Sequence, residues 1–368
     1  MFIKIKWFGL FCIFSSALTG YGQNNPSIEE TFAPKFQAID QFMASYNQQS
    51  PGAAVLVLKN GKTLFSKGYG LANLEYQIPI TPQSVFYIAS VGKQFTAFAI
   101  GLLEEEGLVE LDEPVRKYIP EFPDFGKPLT IKHLLHHTSG LRSFGELFLL
   151  AGNRKNDLIS QEDVLDMIMA QEELNFETGT AHLYCNSGYT LLATIVERVS
   201  KLSYREFMHQ RVFVPLGMTS TFVSDEHNLI IPNRADSYTK ETAGQFRKVV
   251  KPYATYGSGG IYSTTEDLAK WLINFQSKQV GKKVGERMEE RGVLENGYRI
   301  DYSFGLDRTR YGGLELLGHD GSHAGYRTYA GRVKEQGLGI IVLSNLSNFE
   351  VCETVFELLN NFSEKEET

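Results

Sequence analysis

The sequence feature that most constrains the fold lies near the start of the chain. Ala53 to Leu58 is an unbroken apolar run, Asn60-Gly61 follows, and Lys62 to Gly68 returns. Asn-Gly between two strand-like runs is the signature of a tight hairpin, because both residues accept a positive φ. The opening of the chain therefore favours an antiparallel sheet over a parallel one. Before it, Phe36, Ile39, Phe42 and Met43 recur at helical spacing, which predicts a first helix over Phe32 to Tyr46. Pro51-Gly52 closes that segment.

The later chain returns to strand signals. Tyr311-Gly312-Gly313 separates two short runs, Gly337 to Ser344 is strongly apolar, and Phe349 to Phe362 reads as a terminal helix. Between these ends, Ile131 to His137, Gln161 to Met169, Gly188 to Val199 and Tyr204 to Val214 carry helical patterns. The expected fold is α/β (α+β), with the first and last parts sharing one sheet and the middle inserted as a helical lobe. We divide residues 27–365 into a sheet lobe, 27–110 plus 255–365, and a helical lobe, 111–254. The chain has 368 residues, enough for a core of this size. Its net charge of -7 gives no basic footprint for nucleic acid. The Lys278 to Arg291 stretch mixes signs and reads as a solvated helix face.

The first residues have the layout of a secretory signal. Lys4 and Lys6 precede an apolar run from Trp7 to Leu18, and small residues end in Gly20-Tyr21-Gly22. We place cleavage near Gly22, which makes 1–22 a signal peptide and leaves no expected membrane span in the mature chain. The competing reading is a single anchor, for which the run is short. Export to a periplasm or to the exterior follows. Cys185 and Cys352 would remain, and their separation gives no metal pattern. We expect no disulfide between them.

Three short segments have the residue types for chemistry. Ser90-Val91-Gly92-Lys93 opens an apolar helical pattern running to Leu103. Three residues apart on a helix, a hydroxyl and an ammonium share one face. Serine becomes a nucleophile when a base takes its proton, and lysine is such a base only if its pKa is lowered. The first-turn amide would add one donor for an oxyanion. A serine at such a place also serves as an ordinary helix cap. Tyr184-Cys185-Asn186 follows Phe176-Glu177-Thr178-Gly179. The tyrosine can act as base or proton relay, and the asparagine can orient the lysine and bind a substrate amide. A packed aromatic with a turn-capping amide is the bland reading. Gly318-His319-Asp320-Gly321-Ser322 has the glycine density of a strand that approaches a ligand. His319 can donate to substrate or relay a proton; a metal site or an exposed turn are its alternatives. His133, His136 and His137 lack the glutamate of the zinc-protease helix and read as structural. No metal and no cofactor is expected.

Taken in order, these segments resemble the motifs of the penicillin-recognising serine hydrolases. That group holds class C β-lactamases, family VIII carboxylesterases, D-alanyl-D-alanine carboxypeptidases and D-aminopeptidases. Leu134 to Leu141, Pro215-Leu216-Gly217-Met218 and Gly260 to Thr264 are similar to its other segments. The resemblance runs from about residue 35 to 360. It implies an antiparallel sheet flanked by helices, an adjacent all-helical lobe, and a site between them. It implies that Ser90 forms an acyl-enzyme and that Lys93 and Tyr184 share the base role. Asn186 would hold Lys93 and the substrate, and His319 and Gly321 would belong to the binding strand. The amides of Ser90 and Ser322 would make the oxyanion hole. The implied substrate is a small molecule or short peptide with an attackable carbonyl, such as a cell-wall peptide or a β-lactam, with small esters as the alternative. A non-catalytic penicillin-binding sensor is the reading of another class. Histidine stands at 319 where class C enzymes have lysine, so a fixed charge is missing. Asp320 would raise the charge on His319 only if its carboxylate pointed inward.

Overall fold

A computed structural model describes residues 28–364, apart from Lys155, Asn156, Ala243 and Pro252. The expected signal at 1–22 lies outside the described residues. Among these residues no helix is long and apolar enough to cross a membrane.

The predicted hairpin forms from Ala53–Lys59 and Lys62–Tyr69. Asn60 and Gly61 take φ values of 50° and 74°, which matches the twist of the flanking strands. The hairpin is one edge of a six-stranded antiparallel sheet. The order across it is Asp307–Tyr311, Leu314–His323, Tyr326–Val333, Leu338–Ser344, Ala53–Lys59 and Lys62–Tyr69. The chain ends therefore meet side by side, with Val55 opposite Val342.

The first strand is apolar on both faces because both faces are covered. Ala54, Leu56 and Leu58 join a core that includes Phe95, Leu268 and Trp271. Ala53, Val55 and Val57 face a second core with Ile39, Leu358 and Phe362. Helix Thr265–Ser277 covers the first face, and helices Ile28–Phe42 and Val351–Phe362 cover the second. Continuous burial replaces the alternation seen in a one-sided antiparallel sheet.

Several element bounds differ from the sequence pattern. The first helix runs Ile28–Phe42, not Phe32 to Tyr46. Met43 and Tyr46 are held in a following turn against the second core, so the apolar periodicity outlasts the helix. The pattern at Ile131 stops at Leu135, because His137 takes a φ of 57°. The Tyr204 pattern breaks into Tyr204–Met208, a wide turn over His209–Phe213, and Val214–Leu216. The 111–254 stretch is helical in its body and also carries short strands, including Phe222–Val223 and Tyr238–Lys240. The Lys278 to Arg291 stretch is not simply a solvated face. It holds the short helix Val284–Met288, with Val284 and Met288 buried. Val284 packs into the notch at Gly101, where an added Cβ would come within 2.5 Å of Val284 Cγ1.

Candidate active site

Ser90 lies in a short 3-10 turn, Ala89–Gly92, which feeds helix Lys93–Glu105. This corrects the expectation that it occupies the first turn of the α-helix itself. Lys93 is the first residue of that helix. Ala89 has a φ of 48°, an uncommon conformation for a residue with a side chain. Packing holds it there. Strand Leu314–His323 runs past the turn, and its pairing with Asp307–Tyr311 ends at Gly318. The turn occupies the space beside the remaining residues. Gly321 permits this approach: a Cβ there would lie 2.3 Å from Thr328 Oγ1 and 2.6 Å from the Ile88 carbonyl. Thr328 Oγ1 donates to that carbonyl at 2.8 Å and ties strand to turn.

Lys93 is fully buried. Its Nζ donates to Asn186 Oδ1 at 2.8 Å and to the Ser258 carbonyl at 2.7 Å, and lies 3.1 Å from Ser90 Oγ. Burial lowers its pKa to about 7, against weaker upward pulls from Cys185, Asp307 and Asp320. The first two partners are acceptors only and take two N–H bonds. In the neutral amine the remaining lone pair is therefore left for Ser90. The ammonium also lies 4.8 Å from the Tyr184 ring centroid and 5.6 Å from that of Tyr189.

Tyr184 hydroxyl donates to Ser90 Oγ at 2.9 Å. The residue is 39% exposed, while its hydroxyl sits in the polar cluster with Ser90. Desolvation there raises its pKa, against the bond to Ser90 that lowers it. Asn186 begins helix Asn186–Ser200, which fixes its side chain over Lys93. Cys185, just before it, is buried; Cys352 is exposed, and both thiols are free.

His319 is buried and its ring centroid lies 5.9 Å from that of Tyr184. Its Nδ1 lies 2.5 Å from the Asp320 carbonyl oxygen. A carbonyl only accepts, so Nδ1 carries the proton and Nε2 accepts from Tyr302 hydroxyl at 3.2 Å. Burial, then the nearby Lys93, lowers its pKa to about 3. The carboxylates of Asp307 and Asp320, at 3.7 and 4.0 Å, thus face a neutral ring. Asp320 supplies its carbonyl to His319 and does not keep it charged. Asp307, His319 and Asp320 bring one possible metal-ligand atom each within 4.8 Å. Sequence spacing could not reveal this set, which forms across two strands. Both imidazole nitrogens already have partners, so it presents no free imidazole lone pair.

The site reaches further than its motifs. His137 Nδ1 accepts from the Cys185 amide at 3.1 Å, and its ring lies 4.4 Å from Tyr184. It thereby holds the Tyr184–Asn186 segment. Tyr302 and the Ser258 carbonyl join the site from outside its motifs. The glycines around Ser258 were the available signal for the second; Tyr302 carried none. Ser90, Asn186, Ser258 and Ser322 line a cleft of about 610 Å³. Its walls include Phe144, Phe148, Leu149, Val249, Val250 and Tyr253.

Residues 36–355 match the Beta-lactamase family. Penicillin-binding protein 4* of Bacillus subtilis (strain 168) is 32% identical over 310 residues, 79% of this chain and 67% of that protein. A D-aminopeptidase of Gluconobacter oxydans (strain 621H) is 27% identical over 297 residues, 80% of this chain; the chain spans 56% of that relative's length. The octameric penicillin-binding protein homologue from Pyrococcus abyssi superimposes with a TM-score of 0.78 at 30% identity, covering 89% of this chain and 76% of that one. D-amino acid amidase from Ochrobactrum anthropi SV3, complexed with L-phenylalanine, shares the fold at a TM-score of 0.75 and 23% identity, covering 88% and 98%. The chain belongs to the Beta-lactamase family, and with it to the serine hydrolases related to penicillin-binding proteins and D-aminopeptidases.

Proposed function

We propose that the chain hydrolyses an amide or peptide bond through an acyl-enzyme on Ser90. The observation that carries this reading is the position of Ser90 Oγ, 3.1 Å from Lys93 Nζ and 2.9 Å from Tyr184 hydroxyl. Neutral Lys93 takes the Ser90 proton as Oγ bonds to the carbonyl carbon. The oxyanion rests on the backbone amides of Ser90 and Ser322. Tyr184, whose raised pKa keeps it protonated, hands its proton to the leaving group. The Lys93 ammonium beside it restores that proton. Water then releases the acyl group by the reverse path. The base role thus falls on Lys93 more than on the Lys93–Tyr184 pair, since burial disfavours a phenolate. Asn186 holds Lys93 and faces the substrate from the cleft.

The neutral His319 supports weak turnover of β-lactams, whose carboxylate it does not grip by charge. The apolar cleft walls favour a second reading, hydrolysis of small acyl esters. Relatives named as D-aminopeptidases and a penicillin-binding protein support short peptides, including cell-wall peptides. We place the cleft at the seam between the sheet lobe, 27–110 plus 255–365, and the helical lobe, 111–254. We place the mature protein outside the cytoplasm, in a periplasm or secreted. A panel of 4-nitrophenyl esters, D-Ala-D-Ala peptides and nitrocefin, run on wild type and Ser90→Ala, tests the mechanism. Loss of all turnover in Ser90→Ala is expected. Unchanged turnover refutes it.

A further inference from the structure

The groups around Ser90 set the direction in which a substrate lies. Tyr184 and His319 flank Ser90 on one side and do not line the large cleft. A leaving group protonated by Tyr184 lies on their side. The acyl part of the substrate then occupies the large cleft, against Asn186, Tyr253 and His323.

A cation with no ion pair among the described residues stands beside that wall. Lys251 Nζ lies 4.8 Å from the ring centroid of Tyr87, itself a cleft residue, and donates to the Tyr253 carbonyl. Burial lowers its pKa to about 8, and the charge it feels next is another cation, Arg234. Both line a side cavity of about 120 Å³ that shares Val249 and Val250 with the cleft. Asp236 in that cavity is already engaged, by Lys248 and Asn73 at 2.8 Å each. Glu226 lines the same cavity and is exposed.

His323 completes the group. Its Nε2 is buried with no hydrogen-bond partner among the described residues. Its ring centroid lies 5.5 Å from that of Tyr87 and 5.4 Å from that of Tyr253. Burial, then Lys251 and Arg327, depress it to about 4. Among the described residues Lys251 Nζ makes no ion pair and His323 Nε2 has no hydrogen-bond partner, while Arg234 and Glu226 in the side cavity are both exposed. Such a pair is costly unless an anion completes it. The charged residues that line the cleft itself, Glu146 and Arg154, are exposed to solvent.

We propose that Lys251 and His323 form an anion subsite on the acyl side of the cleft, which selects substrates whose acyl group carries a carboxylate. This inference rests on the serine-hydrolase reading of the cleft and names what that cleft prefers. The test compares two phenyl esters of glutaric acid, one with its far carboxylate free and one with that group as a carboxamide. Esters are attackable under either reading of the reaction. Wild type favours the carboxylate in kcat/KM. The preference falls about tenfold or more in Lys251→Met and is kept in Lys251→Arg, which preserves the charge. An unchanged ratio in Lys251→Met, or no preference in wild type, overturns the subsite. Turnover surviving in Ser90→Ala overturns the underlying reading instead. Inorganic phosphate separates a free anion from a substrate-borne one. If it raises the melting temperature of wild type but not of Lys251→Met while wild type shows no ester preference, the site takes free anions and the proposal fails.

Discussion

Replacing Lys93 with Met isolates the buried amine on which the chemistry turns. Lys93 sits at about 7 in the folded protein, against 10.5 for an ordinary lysine. Between those values the unfolded chain binds one proton more than the native one. Wild-type stability therefore rises with pH across that window, by about 1.4 kcal/mol per unit, and is flat outside it. From pH 7 to pH 9 the gain is about 2 kcal/mol, because the native amine is still half-protonated at pH 7. Lys93→Met lacks this term. Asp307, raised to about 7 by burial against the lowering pull of Lys93, titrates in both proteins, and losing the Lys93 charge moves the difference in the same direction. Urea unfolding of both proteins at pH 7, 8 and 9 measures the difference directly. Wild type should gain on Lys93→Met by about 2 kcal/mol over the range. A difference that stays constant with pH refutes a depressed Lys93. The same titration governs activity: kcat/KM rises through about pH 7 as Lys93 loses its proton, and a profile flat from pH 5 to 9 contradicts the base assignment.

Other outcomes follow from single contacts. Tyr184→Phe keeps the fold but removes the donor to Ser90, so kcat for a poor leaving group falls about 10²- to 10⁴-fold in steady-state assays. Gly321→Ala drives a Cβ against Thr328 and the Ile88 carbonyl, and we expect a loss of about 1–3 kcal/mol in urea unfolding together with impaired turnover. Buried Asn345 accepts from the Gly52 amide and donates to the Leu71 and Asp236 carbonyls. Asn345→Ala strands all three, which we expect to cost about 2–4 kcal/mol by the same measurement.

What the sequence reveals follows physical range. The Asn60-Gly61 hairpin is local, and its turn chemistry is written in two residues. The Ser90–Lys93 spacing is also local, though the turn that carries it is 3-10 and begins at a strained Ala89. What depends on distant packing is not legible. Nothing near Lys93 in the sequence indicates the Ser258 carbonyl, which lies 165 residues away. His137 reads as one of three structural histidines until its Nδ1 is seen to accept from Cys185. The state of His319 is likewise hidden, because the Asp320 carbonyl and the surrounding burial fix it, not the neighbouring carboxylate. Lys251 carries no motif at all; its place beside Tyr87 and Tyr253 appears only in the fold.

The most direct test of the central claim is intact-protein and peptide mass spectrometry after brief exposure to a slowly deacylating phenyl ester or a penicillin, quenched in acid. One acyl group per chain is expected, attached to the peptide that contains Ser90, with no adduct in Ser90→Ala. An adduct elsewhere with Ser90 unmodified, or turnover that persists in Ser90→Ala, would contradict it.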